Sequence, residues 1–170
     1  MPVEEQTVSN QDIAFKTGNA PTQGQRLTIA NREVSKLAFY LGRIESPTGS
    51  ITFTIRKIAD KSLIASKVWG LCSSIPTEFT WLEATFDSPV IVNEEVRILA
   101  EYSGYNDSNY LITRVNTLNP KANEVWTKGT VAEPAEPIAD WDACYKYTWD
   151  EPPKPAGGGG PAALVAAGII

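Results

Sequence analysis

The sequence contains no histidine, and it has only two cysteines and one methionine among 170 residues. Histidine is the commonest general base and metal ligand, so its absence excludes Ser-His-Asp and Cys-His catalysis within this chain. Two cysteines without histidine are also a poor ligand set for zinc. We therefore predict a protein that is not an enzyme and that carries no metal or other cofactor.

Long hydrophobic runs and basic blocks are also missing. No stretch reaches the roughly 18 apolar residues that a membrane-spanning helix needs. The net charge of -5 and the pI of about 4.8 argue against a nucleic-acid partner. The start, MPVEEQTVSNQD, has neither the basic nor the apolar region of a signal peptide. We expect a virion or an extracellular surface assembly, with membrane contact only if the chain is truncated.

The two cysteines, Cys72 and Cys144, lie far apart in the sequence, in or near apolar, strand-like runs. Two buried free thiols explain them, and so does one long-range disulfide in an oxidising compartment. Spacing alone leaves both alternatives open, because the geometry of the bond decides between them.

Short runs of alternating apolar and polar residues fill most of the chain. A period of two is typical of strands with one buried and one solvated face, as in antiparallel sheets. Three such runs predict the buried faces Leu37, Phe39 and Leu41; Ile51, Phe53 and Ile55; and Val96, Ile98, Ala100 and Tyr102. No helical period is evident between residues 27 and 150.

Turn residues separate these runs. Pro47 and Gly49 suit a type I turn, so 34–44 and 50–58 are predicted to pair as a hairpin. Pro89 fits the start of a strand or a sheet edge. Further strands are predicted at 110–115, 124–130 and 143–149. Eight or nine short strands indicate an all-β fold, a single antiparallel β-sandwich that is jelly-roll-like.

Composition divides the chain into four parts. Residues 1–26 are polar and predict an extended arm or an edge strand, followed by the β-sandwich over 27–150. Residues 151–160 are a proline- and glycine-rich linker, whose prolines fix φ and whose glycines are flexible. Residues 161–170, PAALVAAGII, form an apolar and flexible C-terminal tail.

Three segments follow a polar, glutamine-containing start in a familiar order: SKLAFYLGRIESPTGSITFTIRK, WLEATFDSPVIVNEEVRILAEY and DACYKY. In this order they resemble a family of jelly-roll-like β-sandwich domains. That family occurs in surface-displayed proteins and in phage and archaeal-virus structural proteins of undefined activity. The resemblance covers roughly residues 10–150 and implies a fold and a display role, without a reaction.

Aromatic residues are plentiful and offer a candidate ligand site. Tyr105, Trp126 and Trp141 are the candidates for stacking on a sugar ring, since flat apolar faces with polar edges suit pyranoses. Packing inside the sandwich is the simpler explanation for the aromatics as a group. Trp81, beside Leu82, is predicted to belong to the core.

Carboxylates give weaker candidates. Asp107 with its neighbouring asparagines, or Asp140 with Asp142, supplies oxygen ligands suited to Ca²⁺, but the spacing matches no EF-hand loop. Loop solubility and Asx-turns explain these residues more simply. A glycosidase pair would have to come from Glu83, Glu95, Glu101 or Glu124, which the sequence cannot bring together.

The tail is the strongest functional clue in the sequence. Its apolar residues favour burial, with Leu164, Val165, Ile169 and Ile170 as the anchoring set. A disordered terminus, a segment that docks on another chain and the beginning of a membrane helix are the three alternatives. The leading prediction is a structural or display protein that docks on other copies or on a larger assembly. The alternative is a carbohydrate-binding module with a glycan partner.

Overall fold

The computed structural model describes residues 1–16, 21–104, 107–118, 120–130, 138 and 140–153. These ranges contain ten strands and one short 3-10 helix, Cys72–Ser74. No helix in them is long and apolar enough to cross a membrane. The strands are β1 Val3–Gln6, β2 Gln11–Phe15, β3 Thr22–Ile44, β4 Ser50–Lys57, β5 Leu63–Leu71, β6 Thr80–Tyr102, β7 Tyr110–Asn116, β8 Val125–Gly129, β9 Asp142–Ala143 and β10 Tyr145–Asp150.

Every pairing between these strands is antiparallel, so the prediction of an all-β, antiparallel fold is confirmed. The main path through the sheet is β1-β10-β3-β6-β4-β5, while β7 and β8 also pair with β3, and β2 and β9 pair with β7. A jelly-roll connection between the strands is not established by this order, and it stays a prediction.

The sheet folds back on itself to form two facing layers. Phe39 on β3 pairs with Leu82 on β6, and Phe53 on β4 pairs with Ala100 on β6. Along a straight β6 these partners would be about 60 Å apart. The two phenylalanine rings are nevertheless in edge contact, with centroids 5.2 Å apart. A sandwich-like arrangement follows, with the apolar core between the layers.

Two long strands belong to both layers. The first layer holds β4, β5 and β8 with residues 22–29 of β3 and 94–102 of β6; the second holds β1, β2, β7, β9 and β10 with the remaining parts of β3 and β6. Register shifts mark the bends, at Ile29/Arg32 and at Val34/Lys36. Asn31 has a positive φ of 49° there.

Pro89 lies inside β6 opposite the second register shift, rather than at the start of a strand. A proline is tolerated at such an irregularity because a ladder hydrogen bond is already missing.

The predicted hairpin between 34–44 and 50–58 is wrong. β4 pairs with β5 and β6, and none of its partners lies on β3. The segment between them passes from the second layer to the first, with positive φ at Glu45 and Gly49. The hairpin partner of β4 is instead β5, and its turn is closed by a hydrogen bond from the Lys57 N–H to the Ser62 carbonyl, at 3.0 Å.

The predicted buried faces of the three alternating runs are confirmed: all ten of those side chains lie in the buried core. Trp81 corrects the prediction that it belongs to that core. It alternates with the buried Leu82, so its ring lies half-buried on the outer face of the second layer. Residues 1–26 contain β1, β2 and the start of β3, with β1 pairing with β10 and β2 with β7.

Candidate binding sites

Several predicted site residues lie outside the described ranges. These are Tyr105 and the four tail residues Leu164, Val165, Ile169 and Ile170, together with most of the linker. Their roles stay predictions.

Trp126 and Trp141 stack on one another, with ring centroids 5.4 Å apart and an interplanar angle of 25°. Trp126 is 0% exposed and packs with Val115 and Ala143 in a small second core. A fully buried ring offers no face to a sugar, so only Trp141, which is half-buried, lies where a stacking role requires it. The aromatic pair serves the packing of β8 against β9.

The four glutamates considered for catalysis do not converge on one site. Each glutamate bonds a different partner: Glu83 with Lys36, Glu95 with Arg26, Glu101 with Arg56 and Glu124 with Tyr145. Asp142 is buried and accepts hydrogen bonds from protein groups. Across the part of the chain that the structure covers, no cluster of three potential ligands suits a metal ion.

A row of three aromatic rings lies on the outer face of the second layer. Tyr40 on β3 stacks with Phe79 at 5.6 Å and is tilted against Trp81 on β6 at 5.1 Å. The Arg114 guanidinium lies 4.4 Å from the Phe79 ring centre, and the Lys146 ammonium lies 4.5 Å from that of Trp81. We call Phe79, Tyr40 and Trp81 the aromatic row; all three rings are half-buried and reach solvent.

A polar groove adjoins one end of the aromatic row. Its volume is about 490 Å³, and it is lined by Ser9, Asn10, Gln11, Asp12 and Arg114. Arg114 belongs to both features, because its guanidinium also bonds the Asp12 carboxylate at 3.0 Å. The Asn10 amide is oriented by hydrogen bonds with Thr117. The row and the groove therefore form one continuous surface.

A second opening, the lateral cleft, lies where β5 of the first layer faces the first half of β6 in the second. It has a volume of about 440 Å³ and is lined by 67–69 and 83–87. An ion pair between Lys67 and Asp87 crosses it. Among the described strands, β5 pairs with β4 alone, so its other backbone edge is open. Beside this edge the side chains of Leu63, Val68 and Leu71 are 50–63% exposed.

The opposite side of the interlayer space is filled by polar side chains, which we call the polar cluster: Glu4, Gln25, Arg32, Lys121, Glu124, Asp142, Tyr145 and Tyr147. Tyr145 and Tyr147 are stacked with an interplanar angle of 9°. The Tyr145 hydroxyl donates to Glu124 at 2.6 Å, and Arg32 donates to the Tyr147 hydroxyl. The Glu4 carboxylate forms ion pairs with both Arg32 and Lys121.

Burial sets the acidities within the polar cluster. Desolvation raises the pKa of Glu124, and a hydrogen bond from Tyr145 partly opposes this shift. Desolvation also raises the pKa of Asp142, partly opposed by hydrogen bonds from Lys121 and Gln25. Desolvation also acts on Glu4, but the hydrogen bonds and charges of Lys121 and Arg32 outweigh it and lower the Glu4 pKa. Burial raises the pKa of Tyr147 to about 12. Perturbed groups mark candidate functional sites, yet each of these four groups is bonded to another member of the polar cluster.

Both cysteines are free and fully buried. Burial raises the pKa of Cys72 to about 12 and that of Cys144 to about 11. Full burial together with a raised pKa is typical of structural rather than reactive cysteines.

The described surface thus carries two candidate binding features: an open strand edge beside a cleft, and an aromatic row beside a polar groove. Sequence reasoning missed both. The alternation that buries Leu82 also exposes Trp81, and this signal was present in the run EFTWLEATF. The adjacency of Tyr40 and Trp81 depends on the pairing of β3 with β6, which no local pattern reveals.

Comparison with known proteins gives no further identification: no family model and no curated protein matches the chain. The resemblance to jelly-roll-like surface and virus domains stays a prediction.

Proposed function

We propose that the chain is a non-enzymatic structural protein, whose body joins other copies or a larger assembly through protein contacts. A virion or an extracellular surface layer is the setting that we propose. The observation that supports this function best is the open edge of β5, because an unpaired strand edge is a template for a strand from another chain.

The side chains around this edge favour a protein partner. Val68 and Leu71 expose apolar surface next to the backbone edge of β5 with which no described strand pairs. An added strand would bury that surface and satisfy the backbone groups together. A lysine on an edge strand usually opposes the addition of another strand. The Lys67 ammonium, however, forms an ion pair with Asp87 across the lateral cleft.

The tail of a neighbouring copy is the segment that we propose for this edge. Residues 161–170 carry no charged side chain, and their anchors Leu164, Val165, Ile169 and Ile170 match an apolar edge. The preceding linker gives the tail reach, since extended residues span about 3.3 Å each. Such a contact joins different surfaces on the two copies, so it generates rings or filaments.

Light scattering on the natural chain, two single-residue variants and one truncation tests this function. We expect the natural chain to form defined oligomers, while a chain ending at Asp150, which retains all ten strands, remains monomeric. The substitution Val68→Lys should also give monomers, because a lysine at the open edge opposes strand addition.

The matched control is Leu118→Lys, which adds the same charge at a side chain that is 79% exposed after β7. It should assemble like the natural chain. A natural chain that stays monomeric at high concentration contradicts the proposal. Assembly that survives Val68→Lys contradicts the assignment to the β5 edge.

A further inference from the structure

We propose that the aromatic row and the polar groove form a binding site for neutral oligosaccharides built from pyranose rings. This site differs from the predicted loop set in both residues and location. It also lies apart from the β5 edge, and it does not depend on the assembly function.

The aromatic row supplies the surface on which sugar rings stack. Tyr40 and Trp81 are cross-strand partners, so their rings are held side by side by the rigid sheet rather than by a loop. Phe79 extends the row along the same strand segment, with its ring next to that of Tyr40. Flat apolar faces with polar edges are the complement of a pyranose ring, which has axial C–H groups on its faces.

The polar groove supplies partners for the hydroxyl groups. Gln11 is exposed, and its side-chain amide makes no hydrogen bond to any other residue that the structure describes. Asp12 and Arg114 present a carboxylate acceptor and a guanidinium fork beside it, fixed by their mutual bond at 3.0 Å. A ligand that lies across Phe79 therefore meets donors and acceptors within the same 490 Å³ groove.

The charges at this surface favour a neutral ligand. Arg114 is neutralised by Asp12, and Lys146 by Glu5 at 3.0 Å. Either cation would have to break its ion pair with a carboxylate of this chain in order to bind a sulfate or carboxylate group of a ligand. Each lies over a ring at a solvent-accessible site, where a cation–π contact is weak, so a sugar can displace it at modest cost.

The test uses the full chain and named probes. Affinity electrophoresis in gels that contain laminarin, xylan, galactomannan or dextran screens for binding, and heparin serves as the acidic probe. The polysaccharide that retards the chain is then titrated as its oligosaccharide, followed by tryptophan fluorescence. We expect saturable binding with a Kd between about 1 μM and about 1 mM.

Three variants test whether the oligosaccharide binds at the aromatic row and the polar groove. Trp81→Ala should weaken binding at least about tenfold, and Gln11→Ala should weaken it severalfold without touching the core. Ile91→Ala, at a side chain that is 56% exposed on the bend of β6, is the control and should bind like the natural chain. Thermal unfolding of each variant separates lost binding from lost folding, and Gln11→Ala keeps the test valid if Trp81→Ala unfolds.

The proposal is overturned if no neutral polysaccharide binds saturably or if heparin alone binds, since charge would then explain the interaction. Binding that is unchanged in both Trp81→Ala and Gln11→Ala also overturns it. Light scattering on the same samples shows whether assembly persists, so a failed sugar site and a failed assembly function are told apart.

Discussion

The space between the two layers has two ends with different chemistry. Near β4 and β5 it is filled by apolar side chains, with Phe39 and Phe53 in edge contact. Near β1 and β8 it holds the polar cluster, in which Asp142 and Tyr145 are as deeply buried as the phenylalanines. Apolar burial is non-directional, whereas the polar cluster works only if each donor meets its acceptor.

This difference changes how each end should respond to substitution. The apolar end loses transfer free energy and gains a cavity when a side chain is shortened. A typical hydrogen bond adds only about 0.5–1.5 kcal/mol, but a buried group left without its partner costs about 1–3 kcal/mol. At the polar end, the damage should therefore depend on which atoms lose their partners rather than on the volume removed.

The largest effect is expected at the apolar end. Phe53→Ala should lower the free energy of unfolding by about 3–5 kcal/mol, because the ring is 0% exposed and contacts Phe39 across the layers. Urea denaturation followed by fluorescence measures this change. Leu118→Ala, at a side chain that is 79% exposed and lies away from the β5 edge, is the control and should change the value by less than about 0.5 kcal/mol. A loss below about 1 kcal/mol for Phe53→Ala would show that the layers do not pack tightly there.

A smaller effect is expected at the polar end from Asp142→Ala. This change leaves the Gln25 amide and the Lys121 N–H without their acceptor, and it should cost about 2–3 kcal/mol. Asp142→Asn keeps one acceptor oxygen in nearly the same volume and should cost less. The same denaturation experiment compares the two variants. Equal losses would mean that volume, and not bonding, decides stability at this end.

The smallest effect concerns pH. Burial raises the Glu124 pKa above 4.5, so the folded chain binds this proton more tightly than the unfolded chain. That stabilisation is complete below about pH 4.5 and is lost as the pH rises through the raised pKa. As the pH rises from about 4.5 through the raised pKa, the natural chain should therefore lose stability relative to Glu124→Gln, which cannot ionise.

Tyr145→Phe sharpens the pH measurement. Its hydroxyl donates to the Glu124 carboxylate and favours the ionised form, so removing it should steepen the loss with pH. Parallel stability curves for the natural chain and Glu124→Gln would contradict a raised pKa at this residue.

The sequence was informative about the apolar end and nearly silent about the polar one. Alternation identified which side chains of the three runs are buried, because the period of two is a property of each strand alone. The wrong placement of Trp81 in the core rested on its position beside Leu82, whereas alternation puts these two side chains on opposite faces. The bonds of Asp142 to Gln25 and Lys121 bring together parts of the chain that no local pattern connects.

The pairing of strands was the second property that could not be predicted from the sequence. Pro47 and Gly49 lie in the segment that joins β3 to β4, but a turn composition does not say whether the strands beside it pair or belong to different layers. That choice depends on the bends in β3 and β6, which are set by contacts over the whole molecule. The aromatic row escaped prediction for the same reason.

The position of β10 gives the molecule a mechanical property. It lies between β1 and β3 and is antiparallel to both. A force that pulls on the residues after Asp150 along the strand axis must shear two ladders at once, rather than open one ladder a bond at a time. Forced unfolding is governed by the unfolding rate, and a shear geometry places a high barrier in its way. If the linker bears the load of an assembly, the strand that receives this load is the one held on both sides.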